Sequence, residues 1–489
     1  MNSNASPMFS PDSMADRERT GPILIAATAS LAIVFFAMLF PGGMGADNSW
    51  CLLVELIPAV LLAALLLPPS VPLILAIVIL ESPFGLDTEI TRSTSYITGG
   101  LILWTVLASF ISASRPKKAG SNVVLGKFWF FAAYGILGAL HGLRLGNSRE
   151  YVVGDLFQIE EFAIVFILVT RVIVDETTLR RLMVCAFGST FLTSVLQLAG
   201  YGTFDSVNPE LSALEGRGRT IDLNAIFVLL MALSLYAGIR GSRHRILLWV
   251  LMIATTANLA MSFTRGIWVA AVAAIVVCLR LLPRVERRRI YRAAVIAALC
   301  FALFGGLWNI GSSAADGNLL AAAGDRLLYG VTQMQQGLGG DVAVETRRFV
   351  EIATIAPQIM KAPLLGNGLG GFYWIDMHAF INEQGLGTID FHYMHNLYLL
   401  VGFRLGLIGL ATFVGILYFY FRESIRGYRK MPAGPRKALV AGLIAGVAGE
   451  VVLSMTSPTI LNHPTSALTA CVMALTFRLQ DLPPGGKSN

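Results

Sequence analysis

Charge is scarce in this sequence. Asp, Glu, Lys and Arg make up 14% of the 489 residues, well short of the ~25% of an ordinary soluble domain. Together with a mean hydropathy of +0.67, this excludes a chain whose surface meets mainly water. Cysteine is also sparse: Cys51, Cys185, Cys278, Cys300 and Cys471 stand singly in apolar segments with no CxxC spacing. That pattern excludes a thiolate metal site and leaves them as packing residues. No Walker, GxSxG or HExxH run occurs, so phosphate-loop, serine-hydrolase and zincin chemistry have no footing. There is no low-complexity tract, convincing internal repeat or separate soluble domain. The net charge of +7 is read as a determinant of membrane topology, with no nucleic-acid partner.

What the chain has in abundance is apolar runs. Fourteen candidate spans cover 22–41, 51–68, 71–84, 97–114, 126–143, 157–174, 181–200, 222–239, 246–263, 266–282, 291–311, 396–421, 437–457 and 464–480. The first follows a polar leader carrying Arg17 and Arg19 and is too long for a cleaved signal core of about 7–15 residues. The third offers about a dozen apolar residues before Glu81 and Pro83 where a straight span needs ~20, and it reads equally as a re-entrant or interfacial segment.

With the N-terminus in the cytoplasm, 26 of the 37 Lys and Arg fall inside, counting those at the inner ends of spans, ten outside, and one, Arg404, deep within a span, as the positive-inside rule requires. The expected fold is an all-α polytopic membrane protein of about 12–14 transmembrane helices with one long, partly helical outer loop. A cytoplasmic leader (1–21) precedes a first helix bundle (22–311), the loop (312–395), C-terminal membrane helices (396–480) and a cytoplasmic tail (481–489). Within the loop, Phe349, Ile352, Ile355 and Ile359 have helical apolar spacing, which predicts a helix over 346–360. Phe372, Tyr373 and Trp374 suit docking onto membrane lipids.

The few outer basic residues are informative because topology disfavours them. Arg217 and Arg219 stand immediately before the eighth span, Arg265 occupies the tight turn Ser262–Gly266, and Arg347 and Arg348 open the loop helix. A guanidinium fork binds phosphate oxygens in pairs, so this set suits a diphosphate lipid head group. Each arginine equally fits pairing with an acid such as Asp222 or Glu215, or snorkelling into head groups; for Arg265, pinned beside Gly266, the functional reading is favoured. His395 lies at the loop's end just before the twelfth span. An imidazole there is a candidate general base near neutral pH, or equally an interfacial residue capping the helix with Asn396. His392 is three residues away, but no carboxylate in the sequence completes a metal-ligand set, so no metal is expected. Gly366–Gly371 formally matches GxGxxG without the strand-turn-helix context a dinucleotide site needs, and reads as a flexible turn that lets backbone approach substrate or membrane.

Arg404 and Glu450 lie about 12 Å and about 10 Å below the outer ends of their spans at 1.5 Å per residue. Their similar depth predicts a structural ion pair between them, because an unpaired charge there is costly.

In this order the segments resemble the O-antigen ligase and O-antigen polymerase superfamily of bacterial envelope glycosyltransferases. The resemblance runs over roughly 215–425: Arg219-Thr-Ile-Asp-Leu-Asn224, Ser262-Phe-Thr-Arg-Gly266, Arg347-Arg348, Pro363-Leu-Leu-Gly-Asn-Gly368, His395-Asn396 and Gly402-Phe-Arg-Leu-Gly406-Leu-Ile-Gly409. Thr264 stands where the family usually has serine, and fourteen spans exceed the family's roughly twelve. The resemblance implies a multi-pass protein of the bacterial inner membrane, both termini cytoplasmic, with its active site and long loop periplasmic. It implies inverting transfer of a glycan from an undecaprenyl-diphosphate-linked donor, without metal, cofactor or nucleotide sugar. In ligases the acceptor is the lipid A core; in polymerases it is another lipid-linked repeat unit. Carried onto this chain, Arg265 and Arg219 (or Arg217) hold the diphosphate, Arg347 or Arg348 assists from the loop, and His395 activates the acceptor hydroxyl. From another class, a transporter or lipid-linked sugar flippase predicts mid-membrane charges and repeated halves with broken helices.

Overall fold

Apolar runs of this length can satisfy their backbone polar groups without water only as helices, and helices dominate the chain. A computed structural model describes residues 122–172, 176–201, 219–239, 242–261, 265–292, 343–376, 388–392, 394–461 and 465–482, with the isolated residues 70 and 295. The expected spans at 22–41, 51–68, 71–84 and 97–114, and nearly all of 291–311, lie outside the described residues.

The elements in chain order are α1 (Asn122–Arg144), α2 (Arg149–Val172), α3 (Glu176–Tyr201), α4 (Arg219–Gly238), α5 (Ser242–Met261) and α6 (Arg265–Leu281). The loop then contributes α7 (Ala343–Lys361), β1 (Tyr373–Asp376) and β2 (Thr388–Phe391). After it come α8 (Leu397–Lys430), α9 (Pro435–Leu453), a 3-10 turn (Thr459–Leu461) and α10 (Thr465–Asp481). Among the described residues, two helices are long and apolar enough to cross a membrane, over Val123–Arg144 and Leu397–Lys430.

The chain divides into two units. One comprises 1–119, 168–186 and 481–489; in its described part, the last turns of α2 and the first of α3 bury Val169, Leu179 and Leu182. The other comprises 120–167 and 187–480, and the candidate site lies wholly within it.

Small residues organise this second unit around α9, which is buried continuously from Ala438 to Val447. A Cβ at Gly446 would lie 2.5 Å from the Phe227 ring, one at Gly449 3.0 Å from Ala274, and one at Gly238 2.8 Å from Pro435. Such positions let helix backbones approach closely where hydrophobic exclusion from water is not the driving force. The same contacts fix direction, because Gly238 at the end of α4 meets Pro435 at the start of α9. α4 is therefore antiparallel to α9, and so is α6, whose Ala270 and Ala274 meet Gly449 while Gly266 meets Thr456. A second layer of aromatic rings, with Phe128 stacked 4.0 Å from Phe166 and Phe131 5.8 Å from Phe413, joins α1, α2 and α8.

Two features depart from a simple bundle. First, the loop is not purely helical: β1 and β2 pair antiparallel with Tyr373 opposite Phe391 and Asp376 opposite Thr388, in segments whose aromatic and β-branched residues suit a ladder. Second, α8 is broken at Gly406, which has φ 66° and ψ −172°, a conformation that a side chain disfavours. The Phe403 carbonyl, released from its helical partner, accepts from Asn367 N–H at 2.8 Å, and Leu407 N–H donates to Pro363 O at 2.7 Å. The loop thus closes the break it occupies. Beyond it, 407–430 still runs about 36 Å at 1.5 Å per residue.

Candidate active site

The site is built at the C-terminal end of α9. Asn396 caps α8, its Oδ1 accepting from Tyr398 and Leu399 N–H at 2.9 and 3.1 Å. Its Nδ2 donates to Met455 O at 3.1 Å, and Leu397 N–H donates to Ser454 O at 3.0 Å. His395, the residue before the cap, is therefore anchored beside residues 454–455. Gly266, next to Arg265, arrives at the same place, since a Cβ there would stand 2.7 Å from Thr456 Oγ1. Because α4 is antiparallel to α9, with Gly238 beside Pro435, Arg219 opens α4 toward the same end. The backbones of Arg265 and His395 thus converge on 454–456, and Arg219 begins its helix toward the same end of α9. Arg217 lies outside the described residues, and Arg347 and Arg348 stand one turn before Glu351 on α7.

His395 is held by Glu351. The carboxylate accepts the main-chain N–H at 2.7 Å through Oε1, and its Oε2 lies 2.9 Å from ring Nδ1. A carboxylate only accepts, so Nδ1 carries the hydrogen and Nε2 the lone pair. Glu351 is 3% exposed and His395 33%. This gives a buried anion oriented to stabilise an imidazolium formed when Nε2 takes a proton. The capping alternative resolves onto Asn396, with the histidine bound separately. Among the described residues no three His, Cys, Asp or Glu side chains are grouped as metal ligands.

The expected Arg404–Glu450 pair is not formed. Arg404 Nη1 instead donates to Asp155 Oδ1 at 2.7 Å, both groups being buried, while neither carboxylate oxygen of Glu450 makes a hydrogen bond. Similar depth along two helices does not fix the direction in which each side chain leaves its axis, and Arg404 is turned toward Asp155 on α2. Arg404 Nη2 also donates to His392 O at 3.0 Å and lies 2.9 Å from His392 Nε2. Asp155 accepts in addition from Gly370 N–H at 2.7 Å.

The Gly366–Gly371 turn, expected to approach substrate or membrane, packs on protein instead. Its backbone approaches protein: Asn367 N–H goes to Phe403 O, Leu369 N–H to Gly138 O at 3.1 Å, and Gly370 N–H to Asp155. A Cβ at Gly366 would stand 2.5 Å from Gly406 N and one at Gly370 2.7 Å from Val152. With these donors spent internally, the turn is a clasp between α1, α2 and α8. A cavity of about 20 Å³ beneath it, lined by Asp155, Gln158, Leu369 and Arg404 among others, holds at most a water.

Glu351 and Asp155 escaped the sequence reading. Each had a faint signal, an acid one turn before a buried apolar residue on its own helix: Glu351 before Ile355, and Asp155 before Ile159.

A family model described as O-antigen ligase matches residues 247–414, a stretch that includes Arg265, the loop, His395 and Arg404. Over that stretch the chain is similar to the O-antigen ligase family. No curated protein matches it as a relative. Members of that family are glycosyltransferase-like ligases or polymerases of membrane-embedded character acting on lipid-linked glycans, and the matched stretch of this chain takes in Arg265, Glu351 and His395.

Proposed function

We propose that the chain is a glycosyltransferase of the bacterial inner membrane that moves a glycan from an undecaprenyl-diphosphate-linked donor to an acceptor sugar, with the lipid A core as acceptor, on the periplasmic side. It is multi-pass with both termini cytoplasmic, as the bias of Lys and Arg to one side supports. His395 Nε2 takes the proton of the acceptor hydroxyl while that oxygen bonds to the anomeric carbon; the bond from that carbon to the diphosphate oxygen breaks with inversion. The proton ends on His395, where Glu351 stabilises it. Undecaprenyl diphosphate leaves with its new charge held by Arg265 and Arg219 or Arg217, helped from the loop by Arg347 or Arg348. No metal is needed in this scheme, because guanidinium groups supply the positive charge.

The observation carrying this reading is the Glu351–His395 pair anchored beside 454–456, where α4 and α6 also begin with arginine. Purified chain in lipid nanodiscs, given lipid-linked donor and core acceptor, should form the joined product without any ion gradient. Donor left intact would refute transfer.

A repeat-unit polymerase of O-antigen or exopolysaccharide would use the same chemistry on a different acceptor. A deletion strain distinguishes them: long lipid-linked polymer left unattached indicates the ligase, single-repeat products the polymerase. A transporter predicts a broken helix, and α8 is broken. Yet Phe403 O and Leu407 N–H at that break bond to Asn367 and Pro363, leaving neither to coordinate a solute as broken transporter helices do.

A further inference from the structure

His392 and His395 stand three residues apart on the connection from β2 into α8. Their imidazoles are bound to different carboxylates, His395 to Glu351 and His392 to Asp155. The His395 end of this connection is tied down by Glu351 and by the cap at Asn396, and Met394 between the two is fully buried. The His392 end is held by Arg404 together with Asp155. Arg404 Nη2 donates to His392 O at 3.0 Å and reaches Nε2 at 2.9 Å, while Nη1 donates to Asp155 at 2.7 Å. Tyr151 and Phe372 pack against the imidazole with ring centroids 4.4 and 5.2 Å away.

Asp155 and Arg404 thereby join four separate pieces of chain: α2, the clasp through Gly370, the approach to His395, and the first segment of α8. Burying a cation and an anion for packing alone is a poor bargain, since apolar residues of similar volume often do as well or better. The planar fork explains why arginine is used. It reaches Asp155 and His392 at once, which a lysine ammonium on a single stem cannot reproduce. His392 Nε2 also lies 3.2 Å from Asp155 Oδ1. Its lone pair can accept from Arg404, or its hydrogen can be donated to Asp155, and either choice leaves the ring fastened.

We infer that Asp155 and Arg404 are positioning residues for His395. They fix His392, and through the short link 392–395, which spans at most about 10 Å, they set where the His395 imidazole stands relative to the acceptor hydroxyl. The inference rests on the reading of His395 as the base. Asp155 and Arg404 take no part in the proton transfer themselves.

The test uses the full chain in nanodiscs, with kcat and donor KM measured per folded molecule, folded protein being counted by size-exclusion chromatography. Arg404→Lys keeps the buried positive charge and removes the fork. It should lower kcat about 100-fold, the scale an ångström of misplacement can reach, with donor KM little changed. His392→Asn, which uncovers no buried charge, should give a smaller fall in kcat of the same kind and serves if Arg404→Lys does not fold. Wild-type kcat per folded molecule in Arg404→Lys, or in His392→Asn where the first variant fails to fold, would overturn the inference, as would a donor KM that rises in step with any loss. His395→Ala separates the two levels. If it is inactive while the positioning variants are normal, only this inference falls; if it is fully active, the proposed base falls and this inference with it.

Discussion

Glu351, on a helix of the long loop, binds His395 twice, at the main-chain N–H (2.7 Å) and at ring Nδ1 (2.9 Å). One carboxylate therefore fixes both the position and the tautomer of the histidine. Its geometry makes the loop a structural part of the site, and loss of loop docking should be felt at the imidazole.

Glu351→Gln keeps the size and one acceptor oxygen but removes the anion opposite the imidazolium. Transfer should fall by about 100-fold or more, within the range that acid–base assistance supplies, while donor KM stays near wild type. Steady-state rates with purified lipid-linked donor check this, and unchanged kcat removes Glu351 from the mechanism.

Arg265→Lys preserves charge but not paired hydrogen bonding to a diphosphate. A fall of about 100- to 1000-fold in kcat is expected, comparable with losing one donor to a developing anion. Arg219→Lys measured alongside should fall too if both begin their helices at the same substrate. Membrane insertion of each variant, read by protease protection, should match wild type.

Gly406→Ala places a Cβ where φ is 66° and where Leu364 O already lies. This positive-φ, extended-ψ conformation, essentially confined to glycine, alone costs about 1–3 kcal/mol for a residue with a side chain, and the contact adds to it. The detergent-solubilised variant should melt measurably lower, with loss of α7 and loop protection in hydrogen exchange preceding that of α9.

Glu450→Gln should leave thermal stability unchanged or raise it, because the carboxylate is fully buried and neither oxygen is hydrogen-bonded. Breaking a buried ion pair instead would cost about 3–5 kcal/mol, so a large drop in melting temperature would restore the Arg404–Glu450 pairing.

Much of this could be read from the chain before any coordinates, and the failures have physical causes. The helices at 122–144, 149–172, 219–238, 265–281 and 435–453 follow from apolar run length, which needs no tertiary information. Arg219 and Arg265 stood out because Lys and Arg are few on the side expected to be outer, and His395 because it ends the long loop just before a span. Their approach to one helix end depended on the glycines of α9, whose partners the sequence does not specify. The loop helix was legible, but its face was not. Ile352 is 45% exposed whereas Glu351 and Ile355 are buried, because the helix turns its carboxylate inward to meet His395. Asp155 was missed for the same reason, and the pairing of Arg404 was misassigned because depth along a helix does not specify the direction of a side chain around it.

The most direct test of the whole account is transfer by purified protein in nanodiscs from an undecaprenyl-diphosphate-linked glycan to lipid A core, comparing wild type with His395→Ala at matched folded protein. The account predicts product with wild type and none above background with the variant, whose donor binding persists. Equal product from both would contradict it.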